Sequence, residues 1–523
     1  MPKRKLSSQT VGTERYGLSQ HSAIRIIAVL QLVFLGISFS PGLTTNNEDA
    51  HCFLLGRAIA RGAGYADIGR PGNPTELLLP PAYPAFLSIF SVFSATPKLP
   101  LAASAFLGVL IPFLFYRLLR RFPAVPLMHL CALVAFSWVV GSFSETFSNA
   151  IPYITSVLVA MLLYERSIAN LSSRALFLLA IVSSIVPLQC STLGLSFSAA
   201  WIISCFWQRR YRYMVWHIGL ALVAVIALRL LTTWHNPYLA QLGLRDLSNP
   251  DAGYATAFEM RMRVFLNAIN YLTASIPHSM IPLPFEHSRA IAWAVAAALL
   301  GVTTMGWIRN LRHGYRFLSV YAVCFMAITL LWQNQTANER LLAGIVPFLL
   351  LFMMMGINWV FDLVFSNIRV GSLESISPVG IARFRGVALW TIVVLIAVLN
   401  VRFWMVDAKS RREIGPDWAN FYTCADWIKT NTPEEAVVAT REPDLFYIRS
   451  NHHSLEIPRF SDDNTVLHVL ESKKTRYVIA DGITGPLAAP SGIFQVINSH
   501  PELFRTVYSL KNPDTYVMEF KPK

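Results

Sequence analysis

Charge is what this 523-residue sequence has least of: 14% of its residues are charged, against 54% hydrophobic. A soluble domain carries nearer a quarter charged, so the chain reads as a polytopic membrane protein. Its apolar runs lack acidic residues at their centres, which proton-coupled carriers usually keep. No half of the chain is duplicated, and no broken helices sit in matching positions, as they do in many transporters. Dinucleotide and phosphate-loop signatures are missing from the C-terminal region, and no Gly-x-Ser-x-Gly elbow or metal-ligand spacing of His, Cys and Asp appears. Cysteine is also sparse, with six residues. Cys131, Cys190, Cys205 and Cys324 fall inside apolar runs and read as buried small hydrophobes. Cys52 and Cys424 belong to the far side of the membrane, without a spacing that would mark a disulfide.

What charge there is leans basic, with a net +14. The excess lies before Asp407, where 30 Lys and Arg face 14 Asp and Glu; the remainder holds 14 and 16. The cations fall in short clusters between apolar runs, as the positive-inside rule requires, so they report topology rather than a nucleic-acid partner. Lys3, Arg4, Lys5, Arg15 and Arg25 precede the first run. No small-residue cleavage site follows it, so it reads as an uncleaved first span.

Eleven spans are expected, near 24–41, 100–118, 124–142, 146–164, 175–190, 191–207, 214–233, 290–308, 317–332, 341–365 and 387–405. The run Pro80–Phe93 is too short to cross, at about 14 residues against the ~20 needed, and reads as interfacial or re-entrant. Residues 1–23 then form a cytoplasmic tail, 24–405 a transmembrane domain with outer loops at 42–99 and 234–288, and 406–523 an outer domain. Ala257–Ser275 follows a helical period inside the second loop. In the last region Trp418–Thr432 and Asp462–Lys473, capped by Ser461, read as helices. Ala436–Thr440 and Tyr477–Ala480 read as strands, and Thr506–Leu510 with Thr515–Phe520 as a hairpin, together a small α/β domain. Asn334-Gln335-Thr336 and Asn170-Leu171-Ser172 match the glycosylation sequon, a weak signal alone.

The most informative stretch is Asn46–Pro84. Cys52, Leu55 and Ile59 share one helical face and Arg57 and Arg61 another, which predicts a short amphipathic helix at the membrane surface. Glu48 and Asp49 fall in its first turn, where carboxylates suit the helix dipole and Asn46 or Asn47 can cap. Capping alone accounts for the pair as spacing goes. Glu145, between two spans, reads equally as a site residue or a solvated turn. Arg340 reads as a headgroup anchor or a phosphate contact.

An acidic pair after the first span, a short helix ending Gly62-Ala63-Gly64-Tyr65, then Pro80-Pro81-Ala82-Tyr83-Pro84 resembles the GT-C glycosyltransferases. These are typified by protein O-mannosyltransferases and the lipid A aminoarabinose transferase. The resemblance implies a GT-C-like membrane domain and transfer of a hexosyl or pentosyl group, with inversion, from a polyprenyl-phosphate donor to an extracytoplasmic lipid, polysaccharide or protein. It implies Asp49 as base, with Glu48 and Glu145 beside it, Arg340 or Arg57 on the donor phosphate, and His51, Tyr65 and Tyr83 against substrate. Relatives commonly carry aromatic residues where this chain has His51 and Cys52. No cofactor and no metal are expected. The location is the bacterial inner membrane, with the N-terminus cytoplasmic. The alternatives are a transporter or flippase of a lipid-linked substrate and a non-catalytic relative.

Reporter fusions after Arg121, Arg212 and Arg316 are expected to read cytoplasmic, and one after Phe520 external. A cytoplasmic reading at Phe520 would overturn the span count.

Overall fold

The computed structural model describes residues 20–40, 47–76, 79–94, 96–122, 125–231, 242–245, 253–282, 289–332, 339–368, 378–457, 463–483 and 492–522. The basic residues before Gln20, the possible cap Asn46, the sequon at 334–336, Arg369, the cap Ser461 and much of the 234–288 loop lie outside them.

Helices dominate. In order they are α1 (Gln20–Ser38), α2 (Asn47–Ala60), α3 (Ala82–Ser91), α4 (Lys98–Leu119), α5 (Leu127–Ala135), α6 (Trp138–Ser144), α7 (Ala150–Ala169), α8 (Arg174–Cys190), α9 (Gly194–Trp207) and α10 (Tyr211–Leu231). Then come α11 (Ala257–Asn270), a π-helical turn (Tyr271–Ser275), α12 (Ile276–Met280), α13 (Arg289–His313), α14 (Arg316–Leu330), α15 (Glu339–Leu342), α16 (Val346–Ile368) and α17 (Pro378–Arg412). Among the described residues six helices are long and apolar enough to cross a membrane, those at α1, α4, α7, α13, α16 and α17. Their outer faces carry bare apolar side chains, such as Val29, Leu32, Val33 and Ile37 on α1, which suits lipid and not water.

Residues 124–142, expected as one span, form two helices bent by 45°. The break at Phe136–Ser137 leaves the Trp138 N–H without a helical acceptor. The Oδ1 of Asn400 accepts it at 3.0 Å, while the Asn400 amide donates to the Met280 carbonyl at 3.1 Å. A broken helix inside a membrane persists only when its freed backbone groups are satisfied in this way. Counted as one span, the pair makes a seventh crossing. The other expected spans fall on α8, α9, α10 and α14, whose described apolar stretches are 17 residues or fewer. Among the described residues, length and composition alone pick out six or seven of the eleven expected crossings.

Helices α13 and α16 meet through small residues. A Cβ on Gly306 would fall 1.7 Å from the Phe352 carbonyl oxygen, and one on Gly356 2.0 Å from that of Val302. Such close approach of backbones is what small residues permit within membranes.

After α17 the chain builds a five-stranded sheet. Its elements are α18 (Pro416–Asn431), β1 (Val437–Thr440), α19 (Pro443–Ser450), β2 (Ser454–Glu456), α20 (Asp463–Ser472), β3 (Thr475–Ala480), α21 (Gly492–Ser499), β4 (Phe504–Leu510) and β5 (Thr515–Phe520). The strand order is β2-β1-β3-β5-β4, with β1 parallel to β2 and β3, and β5 antiparallel to β3 and β4. The anticipated strands and hairpin are present. The short β2, α19 and α21 were not anticipated, because eight residues or fewer carry too little periodicity to read. One face of the sheet packs on α18 and α19, the other on α20 and α21. The first of these cores also takes in Ala50 of α2, so the sheet unit and α2 share a hydrophobic core.

Gly356→Val should lower the unfolding midpoint of detergent-solubilised protein, by the equivalent of about 1–3 kcal/mol or more, since its new atoms meet backbone that cannot step aside. Gly301→Ala, whose Cβ meets nothing within 4 Å, should leave it unchanged.

Candidate active site

Helix α2 is not the surface-lying amphipathic helix that its spacing predicts. Cys52 and Leu55 are buried as expected, but so are Ala50, Phe53, Leu54 and Ala58, which lie round the rest of the helix. Cys52 and Phe53 pack with Tyr83 and Leu87 of α3 and with Phe147, while Leu54 and Ala58 pack against Tyr447 and Ile448 of α19. Gly56 lets α3 close in, its Cβ position being 3.0 Å from Leu87 and 3.2 Å from the Pro84 carbonyl. The sheet unit covers the side that the sequence assigned to solvent. Cys52 and Cys424 are both free and belong to separate clusters.

Packing on two sides buries the first turn as well. Asp49 is 2% exposed. Its Oδ1 accepts from the Nη2 of Arg340 at 2.7 Å, and the Nη1 of the same guanidinium lies 3.3 Å from Glu48, whose side chain is 69% exposed. One arginine thus spans the acidic pair. Burial works against its charge, but Asp49 and Glu48 outweigh burial and raise the guanidinium above its ordinary value. Helix α15 holds Arg340 there from the threshold of α16. Beside it Glu339 lies 3.5 Å from His278 of α12. A Cβ on Gly344 would sit 2.8 Å from Tyr153 and 2.9 Å from Phe325, so this entrance to α16 is tightly packed.

The other side of α2 faces the sheet unit through polar groups. Asn47 accepts, at its Oδ1, from the backbone N–H groups of Asp444 at 2.9 Å and Leu445 at 3.4 Å, and its amide donates to the Asp444 carboxylate at 2.8 Å. It caps a helix almost four hundred residues away. His51 follows on the same side, with its Nε2 2.7 Å from Glu76, and its Nδ1 3.4 Å from Asp444 and 3.8 Å from Asp67. The loop after α2 supplies Asp67 and Glu76. Gly62 and Gly64, both at φ +75°, turn the chain back, and the Asp67 N–H bonds the Pro74 carbonyl and the Glu76 N–H that of Tyr65. That small hairpin lies over His51, and its Gly69 carbonyl accepts from the Ser454 N–H of β2. Burial opposes a charged imidazole, yet Asp444 and Glu76 prevail and hold His51 well above its usual range. Burial likewise opposes ionisation of Asp444, but His51 prevails and its carboxyl is lowered. Asp67 is pushed up, by burial and then by Asp444.

The remaining sequence candidates lie elsewhere. Glu145, at the end of α6, accepts from Ser38 of α1 and, at 2.6 Å, from Arg411 of α17. It ties three helix ends together. Arg57 sits over the Phe53 ring, 5.6 Å from its centre, and burial and then Arg61 lower it. Tyr65 donates to the Leu79 carbonyl at 2.7 Å, and Tyr83 meets Ser104 at 2.8 Å inside the α2–α3 packing. The structure therefore joins Glu48, Asp49 and Arg340, and sets His51 in a different cluster on the opposite side of α2. Sequence reasoning missed Asp67, Glu76 and Asp444, and named Asn47 only as a cap for its own helix. The spacing of 51, 67, 76 and 444 carries no signature, and only the polarity of a loop otherwise rich in Gly and Pro pointed there.

No protein-family model matches the chain, and no curated protein matches it by sequence. Solved structures do. ArnT from Cupriavidus metallidurans bound to undecaprenyl phosphate superposes with a TM-score of 0.56 at 10% identity, over 96% of this chain and 99% of that one. The oligosaccharyltransferase of Archaeoglobus fulgidus superposes with a TM-score of 0.57 at 13% identity, over 88% of this chain and 69% of that one. Both are GT-C glycosyltransferases, so the chain is similar to that class over most of its length and has its polytopic helical membrane fold.

Asn47→Ala removes the cap from α19 and the contact with Asp444 together. Loss of such a buried cap is worth about 1–2 kcal/mol. Faster amide exchange in 443–450 is the expected outcome; unchanged exchange would show that Asn47 does not hold the two parts together.

Proposed function

We propose that this chain, with its GT-C fold, is an integral membrane glycosyltransferase. It moves a sugar from a polyprenyl-phosphate donor to an extracytoplasmic acceptor, with Asp49 as the base. The observation that carries the reading is the 2.7 Å pair between Asp49 and Arg340, in the first turn of a helix packed on both sides.

Glycosyl transfer from a lipid phosphate needs a carboxylate to take the acceptor's hydroxyl proton as the anomeric carbon becomes electron-poor, and a cation where charge grows on the departing phosphate. Asp49 and Arg340 supply one of each within a single hydrogen bond. Rigid packing suits this task, since a base displaced by 1 Å loses much of its effect. Arg340 also has an edge suited to the donor. Its contact with exposed Glu48 is longer than that with Asp49, so an arriving phosphate displaces Glu48 and leaves Asp49 in place. Undecaprenyl phosphate is the ligand seen on ArnT, and a phosphate of that kind suits a guanidinium at the mouth of a membrane domain. In this reading residues 24–405 form the transmembrane domain. The sheet unit within 406–523 lies outside the cytoplasm on the same face as α2, in an inner membrane whose cytoplasmic side carries the arginine clusters.

Asp49→Asn keeps the shape but removes the charge and the proton acceptor. Transfer assayed with purified protein, a panel of polyprenyl-phosphate sugars and a membrane extract as acceptor source should fall by roughly 10²–10⁴-fold. Donor binding should change far less, and Glu48→Gln should be the milder change. Full activity in a folded Asp49→Asn protein would remove the central residue from this reading.

A further inference from the structure

The cluster on the far side of α2 plays no part in that chemistry. His51, Asp67 and Glu76 present one ligand atom each, all within 4.8 Å of one another, and Asp444 closes the group from the sheet unit. We propose that His51, Asp67 and Asp444 bind a divalent transition-metal ion, with zinc first by ligand type, and that Glu76 orients the imidazole.

The two ring nitrogens of His51 have different surroundings. Nε2 meets Glu76 at 2.7 Å, an ordinary hydrogen-bond length. Nδ1 is shut off from solvent and has no hydrogen-bond partner, although carboxylate oxygens of Asp444 and Asp67 stand 3.4 and 3.8 Å away. The first is long for an N–H···O bond and the second is beyond one. They match the ~3.4 Å expected between neighbouring ligands of a tetrahedral ion with bonds of about 2.1 Å. Glu76 on the opposite nitrogen completes the carboxylate–histidine–metal arrangement, in which the outer carboxylate fixes the tautomer and leaves the inner nitrogen its lone pair.

Asp444 supplies a second, independent sign. Its side chain is 2% exposed, and its Oδ1 has no hydrogen-bond partner. The oxygen of Asp444 that faces His51 is its Oδ2, so an ion beside His51 would reach the Oδ1 through bidentate binding. A buried carboxylate oxygen left unpaired is costly, and an ion shared with Asp67 would satisfy it. Charge agrees. Among the described residues three carboxylates meet one arginine, Arg70, which bonds Asp67 at 3.2 Å, so a single proton on His51 leaves that group negative while a dication in its place makes it neutral. Imidazole with carboxylates is a ligand set that zinc accepts. The ion would clip together α2, its following loop and α19, three segments distant in sequence.

The test uses the full-length protein in detergent, stripped with chelator, dialysed against zinc and then against metal-free buffer. About one equivalent of zinc is expected by elemental analysis, and cobalt in its place should give visible absorption bands. His51→Ala and Asp444→Asn should lose the ion. Glu76→Gln, the conservative change, should weaken it by about 10–100-fold. Glu48→Gln, at an exposed carboxylate, should retain it, which separates this site from one on the acidic pair. Wild-type protein that holds no zinc overturns the proposal whatever the variants do. So does retention in His51→Ala or loss in Glu48→Gln.

Discussion

An aspartate with 2% of its surface exposed has to be neutralised where it lies, and for Asp49 the neutralising group is Arg340, 291 residues further on. A buried charge that loses its partner costs several kcal/mol, so this pair constrains everything that carries either residue. Arg340 must stand at the threshold of α16, which explains the tight packing of Gly344 there. Asp49 must face the membrane domain, which fixes the rotation of α2 about its axis. Once that rotation is set, the residues on the opposite side of the helix, Asn47 and His51, are committed to face whatever covers it.

What covers it is the sheet unit, and the sheet has a specific place to receive a helix. In open α/β sheets the crevice at the carboxyl ends of the strands, where the strand order reverses, is the usual ligand site. Here β1 lies between β2 and β3, so the reversal falls at β1, and α19 begins three residues after its end. Asn47 of the chain's own α2 bonds the Asp444 and Leu445 N–H groups at the start of that helix. The sheet unit holds α2 through these bonds and through the core it shares with Ala50. Its contribution is to position: it clamps the helix whose first turn bears Asp49.

Much of the architecture was legible beforehand because it rests on local or compositional causes. The apolar runs, the arginine clusters, the first-turn position of Glu48 and Asp49, and the strands at Ala436–Thr440 and Tyr477–Ala480 all follow from neighbours in sequence. Resemblance in the 48–84 stretch anticipated the GT-C fold, and Arg340 was named with Asp49 from motif position. Other features were not legible, for equally definite reasons. The break within the 124–142 span was not foreseen, because apolar residues look alike on either side of it and Asn400, which stabilises it, lies far along the chain. Six or seven of the eleven expected spans stand out by length and composition among the described residues, while the apolar helices over 174–226 and 316–330 are shorter there, a difference that hydropathy alone blurs.

Glu145 and His51 mark the boundary between the two kinds of information. Glu145 was singled out at a turn between two spans and His51 just after the acidic pair; both lie at junctions, but neither sits beside Arg340. The sequence by itself determined that the chain is membrane-embedded, where its cations cluster, which helix opens with two carboxylates and that an α/β unit follows. Those properties depend on hydrophobicity, short-range periodicity and the helix dipole, all local. Only the tertiary structure decided that Asp49 faces Arg340, that Glu145 binds Arg411, and that His51 meets Asp67, Glu76 and Asp444. Such pairings are chosen by packing α2 between two bodies at once, and the burial that makes them strong involves residues hundreds of positions apart.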